Sequence, residues 1–100
     1  MKTMHIECKD LERSLETVLP DYMAYVAVLI SLHDLFIFAK IPCVTIDKLS
    51  DRILMPKESL HKVLEILIRC HIIQAKNDCL SLTDKGVLLV EKIRWGKAYS

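Results

Sequence analysis

Three prolines divide this chain of 100 residues into short segments, and that punctuation limits the folds open to it. Proline has no backbone N–H and a fixed φ, so it ends a helix or stands in its first turn. Pro20, Pro42 and Pro56 are therefore expected to separate helical segments. A chain of this length supports one modest core, so these segments must pack together as a single domain.

Two helices are predicted before Pro42. The first, over about residues 7–19, has one apolar stripe. The stripe consists of Leu11, Leu15, Val18 and Leu19. Pro20 ends this helix, and Asp21 is expected to cap a second one that continues to about residue 38.

The second helix belongs to an apolar segment, residues 22–41, that is about the length of a membrane span. His33 and Asp34 lie inside this segment, and Lys40 lies near its end. Ionisable side chains at mid-membrane cost a few kcal/mol each, about 3 kcal/mol on insertion scales, so the segment is a poor span. We expect a dimer interface to cover its apolar face instead, with no membrane partner.

Helix starts are also recognisable after Pro42. Thr45 is expected to cap a two-turn helix over 46–53, and Pro56 fits the first position of a longer helix that ends near Cys70. Thr83 is expected to cap a final helix from Asp84 to about Trp95.

Between the last two helices, residues 72–76 and 79–82 are short β-prone runs. They are separated by Asn77 and Asp78, two residue types that tolerate the positive φ of a tight turn. The pattern predicts a two-stranded hairpin.

Four stretches of sequence follow one another in an informative order: VTIDKLSDRI (44–53), PKESLHKVLEIL (56–67), IRCHII (68–73) and LTDKG (82–86). In that order they resemble the first motif helix, the recognition helix, the exit from that helix and the stretch after the wing in the winged helix-turn-helix domain of MarR- and PadR-type regulators. Ser50 stands where the family usually has alanine, and His71 stands where it favours glycine.

The resemblance implies a mainly α, α+β fold: a winged helix-turn-helix with a short two-stranded wing and flanking N- and C-terminal dimerisation helices. The whole chain, 1–100, would be one such domain. It would comprise an N-terminal helical extension (1–21), a core (22–95) and a tail (96–100).

The resemblance also implies a transcriptional regulator that binds double-stranded DNA, with the recognition helix, about 56–70, in the major groove. The DNA-binding residues would be Lys57, Glu58, Ser59, His61 and Lys62 on that helix and Lys76 and Asn77 at the wing. Glu58 either accepts a hydrogen bond from cytosine or repels phosphate.

A homodimer is expected because one chain offers few cations to DNA and leaves apolar helices to be covered. The expected dimer interface consists of Tyr22, Tyr25, Val26, Leu29 and Trp95. The formal net charge is only +1, so composition alone gives no case for a nucleic-acid partner. The alternative is a winged-helix module that binds another protein and leaves DNA alone.

Four cysteines, Cys8, Cys43, Cys70 and Cys79, occur without a Cys-x-x-Cys pair. We expect them to be reduced and mostly buried, in a cytoplasmic protein that lacks a signal peptide. The alternative is that some of them form disulfides, as in intracellular proteins of hyperthermophiles. A cluster of Cys70, His71, Cys79 and His61 has irregular spacing for zinc, so no metal or cofactor is expected. No catalytic motif is present, and we expect no enzymatic activity.

Overall fold

The computed structural model describes residues 7–17 and 19–96. These residues form a mainly helical domain with a small antiparallel sheet, so the predicted α+β class is confirmed. The elements in chain order are α1 (Cys8–Glu16), a 3₁₀ turn (Pro20–Tyr22), α2 (Met23–Ile37), α3 (Ile46–Ile53), α4 (Lys57–Arg69), β1 (Ile73–Lys76), β2 (Cys79–Leu82) and α5 (Asp84–Trp95).

Helix α1 has the expected apolar stripe over its two turns. Leu11 and Leu15 are fully buried. The hydroxyl of Thr17 lies 3.2 Å from the carbonyl oxygen of Arg13 and 3.1 Å from that of Ser14. A side chain that hydrogen-bonds the last carbonyls in this way offers an alternative to a further helical turn, and α1 ends at Glu16.

The junction between α1 and α2 differs from the prediction. Leu19 is extended and exposed, so it does not continue the stripe of α1, and Val18 lies outside the described residues. Asp21 lies within the 3₁₀ turn that starts at Pro20, so it does not cap a helix. Regular α-helix begins only at Met23, after this 3₁₀ turn, a common arrangement at the start of an α-helix.

Helix α2 is the centre of the fold and contacts α3, α4, α5 and β2. Its buried residues are Val26, Val28, Leu29, Leu32 and His33. By length and composition, the stretch Pro20–Ile37 is the one described helix that is apolar enough to cross a membrane. In this fold, however, its buried side chains form the core of the domain.

Helices α3 and α4 are joined by a tight turn. α3 spans the predicted residues, and Thr45 accepts a hydrogen bond from the backbone N–H of Lys48 at 3.3 Å. Leu54 adopts the left-handed conformation in the turn, and the hydroxyl of Ser50 donates to the Met55 carbonyl at 2.6 Å. Pro56, which was predicted at the first helical position, lies at the N-cap of α4, and the helix begins one residue later, at Lys57.

The end of α4 forms two hydrogen bonds typical of a Schellman motif. The N–H of Ile72 donates to the carbonyl of Leu67 at 2.9 Å, and the N–H of His71 donates to that of Ile68 at 3.0 Å. His71 occupies the position where glycine is usual, with φ of 61°. A non-glycine residue in this left-handed conformation costs backbone strain.

The predicted hairpin is confirmed, with Asn77 and Asp78 both at positive φ in its turn. Outside the hairpin, Val44 pairs with Leu80 through two backbone hydrogen bonds of 2.9 and 2.7 Å. This pair attaches the segment before α3 to the second strand. The hairpin is thereby fixed beside the α3–α4 unit.

The start of α5 is the predicted one. Thr83 accepts a hydrogen bond from the N–H of Gly86 at 3.1 Å, and its hydroxyl donates to the carbonyl of His71 at 2.6 Å. Its own N–H donates to the carbonyl of Ile72 at 3.1 Å. One threonine therefore connects the start of α5 to the chain just after α4.

The prediction of reduced cysteines is wrong in this structure, which contains disulfides Cys8–Cys70 and Cys43–Cys79. Their Cα atoms lie 5.5 and 5.4 Å apart, the usual separation for a disulfide. The first bond joins α1 to the end of α4, and the second joins the segment before α3 to β2. The cytoplasmic location remains a prediction.

Candidate nucleic-acid interface

Helix α4 presents one face to the core and the opposite face to solvent. Leu60, Val63, Leu64 and Leu67 are buried on the core side. The five residues predicted to contact DNA on this helix are all exposed and lie within its first two turns: Lys57, Glu58, Ser59, His61 and Lys62. The structure therefore brings these five together on one accessible surface.

The N-terminus of α4 has no side-chain cap, because Pro56 stands at the N-cap position. Backbone N–H groups in the first turn of a helix lack intrahelical partners, and the helix dipole gives this end a partial positive charge. The exposed beginning of α4 is thus compatible with a phosphate oxygen.

Lys57 is not a free cation. Its ammonium forms an ion pair with the carboxylate of Asp47 on α3. The hydrogen bond with Asp47 and its negative charge raise the pKa of Lys57, with a further contribution from the charge of Asp51. Any phosphate that reaches Lys57 competes with these two carboxylates.

Charges alternate in sign along the outer face of α4. Glu58, Lys62, Glu65 and Arg69 are exposed and follow one another at helical spacing. Two acids and two bases leave this stripe with no net charge. DNA affinity from long-range attraction alone is therefore expected to be small at this face.

An open groove lies between α4 and the hairpin. Its floor is apolar, and carboxylates lie along it. The apolar residues are Ile46, Leu64, Ile68, Ala75 and Leu80, and the acidic ones are Asp47, Glu65 and Asp78. His61 and Asn77, both predicted DNA contacts, also line it. Lys76 is exposed at the start of the hairpin turn.

Sequence reasoning missed the acidic character of this groove. Asp47, Glu65 and Asp78 come from three different elements, and only the packing of the hairpin beside α4 brings them together. The available signal was the expected proximity of the wing to the recognition helix. Counting the carboxylates as well as the cations on these two elements would have predicted an acidic groove.

A second polar cluster lies on the other side of the domain, between α2 and α5. Arg94 forms an ion pair with Asp34, and its Nη1 lies 3.3 Å from Nδ1 of His33. His33 is 1% exposed, and its Nε2 makes no hydrogen bond within the described part of the chain. Burial, followed by the charge of Arg94, lowers the pKa of His33, while Glu91 and Asp34 act in the opposite direction.

The residues expected at a dimer interface do not form one surface. Val26 and Leu29 are buried in the core of a single chain, because α3, α4 and α5 already cover α2. Tyr22 and Tyr25 are half-buried against each other, with ring centroids 5.5 Å apart. Trp95 is 60% exposed and is the one residue of the five with most of its side chain free for a second copy.

Cys70 and Cys79 belong to different disulfides, so neither supplies a thiolate to the metal cluster considered from the sequence. Among residues 7–17 and 19–96, no three His, Cys, Asp or Glu side chains are placed to hold a metal ion. Comparisons of the chain with protein-family models, curated proteins and solved structures find no significant match.

Proposed function

We propose that the chain is a winged helix-turn-helix regulator of transcription that binds double-stranded DNA in a sequence-specific manner as a homodimer. The observation that carries this proposal is the geometry of α4. It follows α3 after a tight turn, it exposes its first two turns, and a hairpin lies beside it. An exposed helix of this kind has the dimensions to enter a major groove.

Within the proposal, the exposed residues of α4 divide into two roles. Lys57 and Lys62 contact phosphates, and Ser59 and His61 reach base edges. Glu58 accepts a hydrogen bond from a cytosine amino group, so that an otherwise repulsive carboxylate contributes to sequence choice.

The hairpin makes a small contribution in this proposal. Lys76 and Asp78 cancel each other near the turn, and Asn77 supplies a neutral hydrogen-bonding group. One subunit therefore neutralises few phosphates. Two subunits on one duplex double the number of phosphate contacts, which is why the proposal includes a homodimer.

Fluorescence anisotropy on duplex DNA across a salt series tests this proposal. The variant Lys57→Ala/Lys62→Ala removes both cations from α4, and Lys9→Ala/Lys92→Ala is a matched control with the same loss of charge elsewhere. Each lost phosphate contact lowers the salt slope by about 1, so the α4 variant is expected to lose about 2 per subunit. The control keeps the wild-type slope.

Two results contradict DNA binding by α4. One is the absence of binding by the wild-type chain at low salt. The other is an equal loss of affinity in the α4 variant and in the control, because net charge alone would then account for the binding.

The acidic groove favours a second candidate function, in which the domain docks a basic segment of another protein. An apolar floor beside Glu65 and Asp78 suits a peptide with apolar anchors and lysine or arginine side chains. In this candidate α4 forms one wall of a protein-binding groove and makes no contact with DNA.

Charge reversal separates the two functions. Glu65→Lys/Asp78→Lys adds four units of positive charge beside α4, so it strengthens duplex binding if DNA is the ligand. The same variant repels a basic peptide. Weaker duplex binding by this folded variant would count against DNA in the groove and favour the protein-binding function.

A further inference from the structure

The Cys43–Cys79 disulfide lies at the end of the hairpin that is far from α4 and α5 along the chain. Cys79 pairs with Lys76 at the last register position of the two strands, next to the turn. We call residues 76–79 the hairpin tip. Cys43 precedes α3, so the bond links the hairpin tip to a segment that is distant in sequence.

The base and the tip of the hairpin are held in different ways. At the base, the hydroxyl of Thr83 donates to the carbonyl of His71, which fixes the end of β2 to the chain after α4. Towards the tip, β1 is exposed after Ile73. The contacts next to the disulfide are the buried side chain of Leu80 and its two backbone hydrogen bonds with Val44. Because a two-stranded hairpin alone is at best marginally stable in water, the tip depends on this link for its position.

The two disulfides differ in their exposure to a reductant. Cys43 and Cys79 are both half-buried, and Cys43 also lines a cavity of about 170 Å³. Cys70 is 1% exposed, and Cys8 is half-buried against the core. The first pair therefore offers a reductant two accessible sulfurs, and the second pair offers one.

Thiol–disulfide exchange requires a thiolate to reach one sulfur while the other sulfur leaves as a thiolate. In the Cys8–Cys70 bond, packing blocks attack at Cys70. Attack at Cys8 would leave a charged thiolate of Cys70 in the core, which is unfavourable without a partner. Both directions of attack remain open at Cys43–Cys79.

We propose that Cys43–Cys79 is a site of reversible thiol–disulfide exchange with a dithiol, and that its reduction releases the hairpin tip. One thiolate of the dithiol attacks a sulfur of the pair and forms a mixed disulfide, and the other cysteine leaves and takes up a proton. The second thiol of the dithiol then displaces the first cysteine. The protein gains two electrons and two protons as two thiols, and the dithiol becomes a disulfide.

Release of the tip changes the groove beside α4. Asn77 and Asp78 of the turn line this groove together with His61 and Glu65 of α4. In the oxidised chain the turn is held in place before a ligand arrives, whereas in the reduced chain binding must also order it. The oxidised chain is therefore expected to bind duplex DNA more tightly. This last step rests on the proposed function, and the exchange reaction and the release of the tip do not.

Treatment of the full chain with dithiothreitol under native conditions tests the exchange reaction. At successive times the reaction is quenched with acid, free thiols are alkylated in denaturant, and their positions are read by mass spectrometry. Cys43 and Cys79 are expected to be labelled on the order of tenfold faster than Cys8 and Cys70. Equal rates, or faster reduction of Cys8–Cys70, overturn the proposal.

Hydrogen exchange on the same samples tests release of the tip. The N–H groups of Val44 and Leu80 donate to each other's carbonyls, and their protection is expected to fall roughly tenfold or more when the bond between Cys43 and Cys79 is reduced. The N–H of Ile72, which is bonded at the end of α4, is the internal control and keeps its protection. Unchanged protection of Val44 and Leu80 in a chain reduced at this bond overturns the proposal.

Two variants provide matched controls. Cys43→Ser/Cys79→Ser is expected to show the fast exchange of the reduced chain and no further response to dithiothreitol. Cys8→Ser/Cys70→Ser is expected to keep the response. If a variant does not fold, the wild-type chain reduced at Cys43–Cys79 gives the same comparison.

Duplex binding by the oxidised and reduced chains separates failure of this inference from failure of the proposed function. A chain whose tip is released on reduction but that binds no duplex DNA in either form supports the exchange site and contradicts DNA binding. A chain that binds duplex DNA equally well before and after reduction of Cys43–Cys79 supports DNA binding and overturns control of binding by the tip.

Discussion

Gly86 provides the sharpest test of the packing between α5 and the chain after α4. It lies in the first turn of α5, where alanine is favoured over glycine by about 1 kcal/mol on helix propensity alone. A Cβ atom at this position would lie only 2.1 Å from the carbonyl oxygen of Ile72. We therefore expect Gly86→Ala to destabilise the fold, against its helix propensity.

The magnitude follows from which atoms must move. The Ile72 oxygen is a backbone atom, so no side-chain rotation relieves the contact, and α5 must shift by about 1 Å to reach an ordinary separation. The same oxygen accepts the hydrogen bond from the N–H of Thr83, which is already 3.1 Å long. Overpacking of about 1–3 kcal/mol and a weakened hydrogen bond of about 1 kcal/mol outweigh the propensity gain. The expected loss in the free energy of unfolding is about 2 kcal/mol.

Urea denaturation followed by circular dichroism measures this loss. Gly96→Ala is the matched control, because nothing lies within 4 Å of its Cβ position, although its φ of +58° is itself unfavourable for alanine by about 1 kcal/mol. A Gly86→Ala variant as stable as wild type would refute the close approach of α5 to Ile72. A loss no larger than that of the control would also refute it.

Three further predictions concern stability. Replacing Cys43 and Cys79 by serine removes a cross-link between residues 36 apart in sequence and should lower the free energy of unfolding by about 3–4 kcal/mol. If a reductant leaves the urea midpoint of the wild-type chain unchanged, the disulfides are contradicted. His71→Gly should gain about 1 kcal/mol by removing strain at positive φ, and a less stable variant in urea would contradict this. Burial lowers the pKa of His33 in the fold, so the neutral imidazole contributes its full stability above pH 6.5, and this contribution is lost as the pH falls through the folded-state pKa. His33→Leu should reduce the loss, and urea midpoints measured from pH 5 to 8 check this.

The features predicted correctly from the sequence depend on neighbouring residues. Thr45 and Thr83 cap helices because a threonine oxygen three residues before a free N–H satisfies it whatever the rest of the chain does. Asn77 and Asp78 form the hairpin turn because these residue types tolerate positive φ. Local chemistry is sufficient for such elements.

The features that were missed depend on contacts between distant residues. α2 is apolar on nearly all sides, so its periodicity does not indicate which side the domain itself covers, and Val26 and Leu29 were assigned to the wrong surroundings. The disulfide partners are 62 and 36 residues apart, and spacing alone does not pair four cysteines.

In the candidate site too, features set by neighbouring residues were predicted correctly and a contact between separate helices was missed. The apolar stripe of α4 correctly predicted which side chains are exposed, because the helix has one buried face. The pairing of Lys57 with Asp47 crosses the turn between α3 and α4, and it became visible only when the two helices were placed together. The number of free cations on this face was therefore overestimated from the sequence.

The two disulfides bear on how a face with so little net charge would bind DNA. The bonds 8–70 and 43–79 overlap along the chain, so one fixes the end of α4 and the other fixes the hairpin beside it. A surface held in this way loses little conformational freedom on binding, and a smaller share of the contact energy is then spent on ordering. In the proposed function, affinity therefore depends on preorganisation and on two copies per duplex more than on charge. A salt slope well below that of a protein with six to ten phosphate contacts is the expected signature.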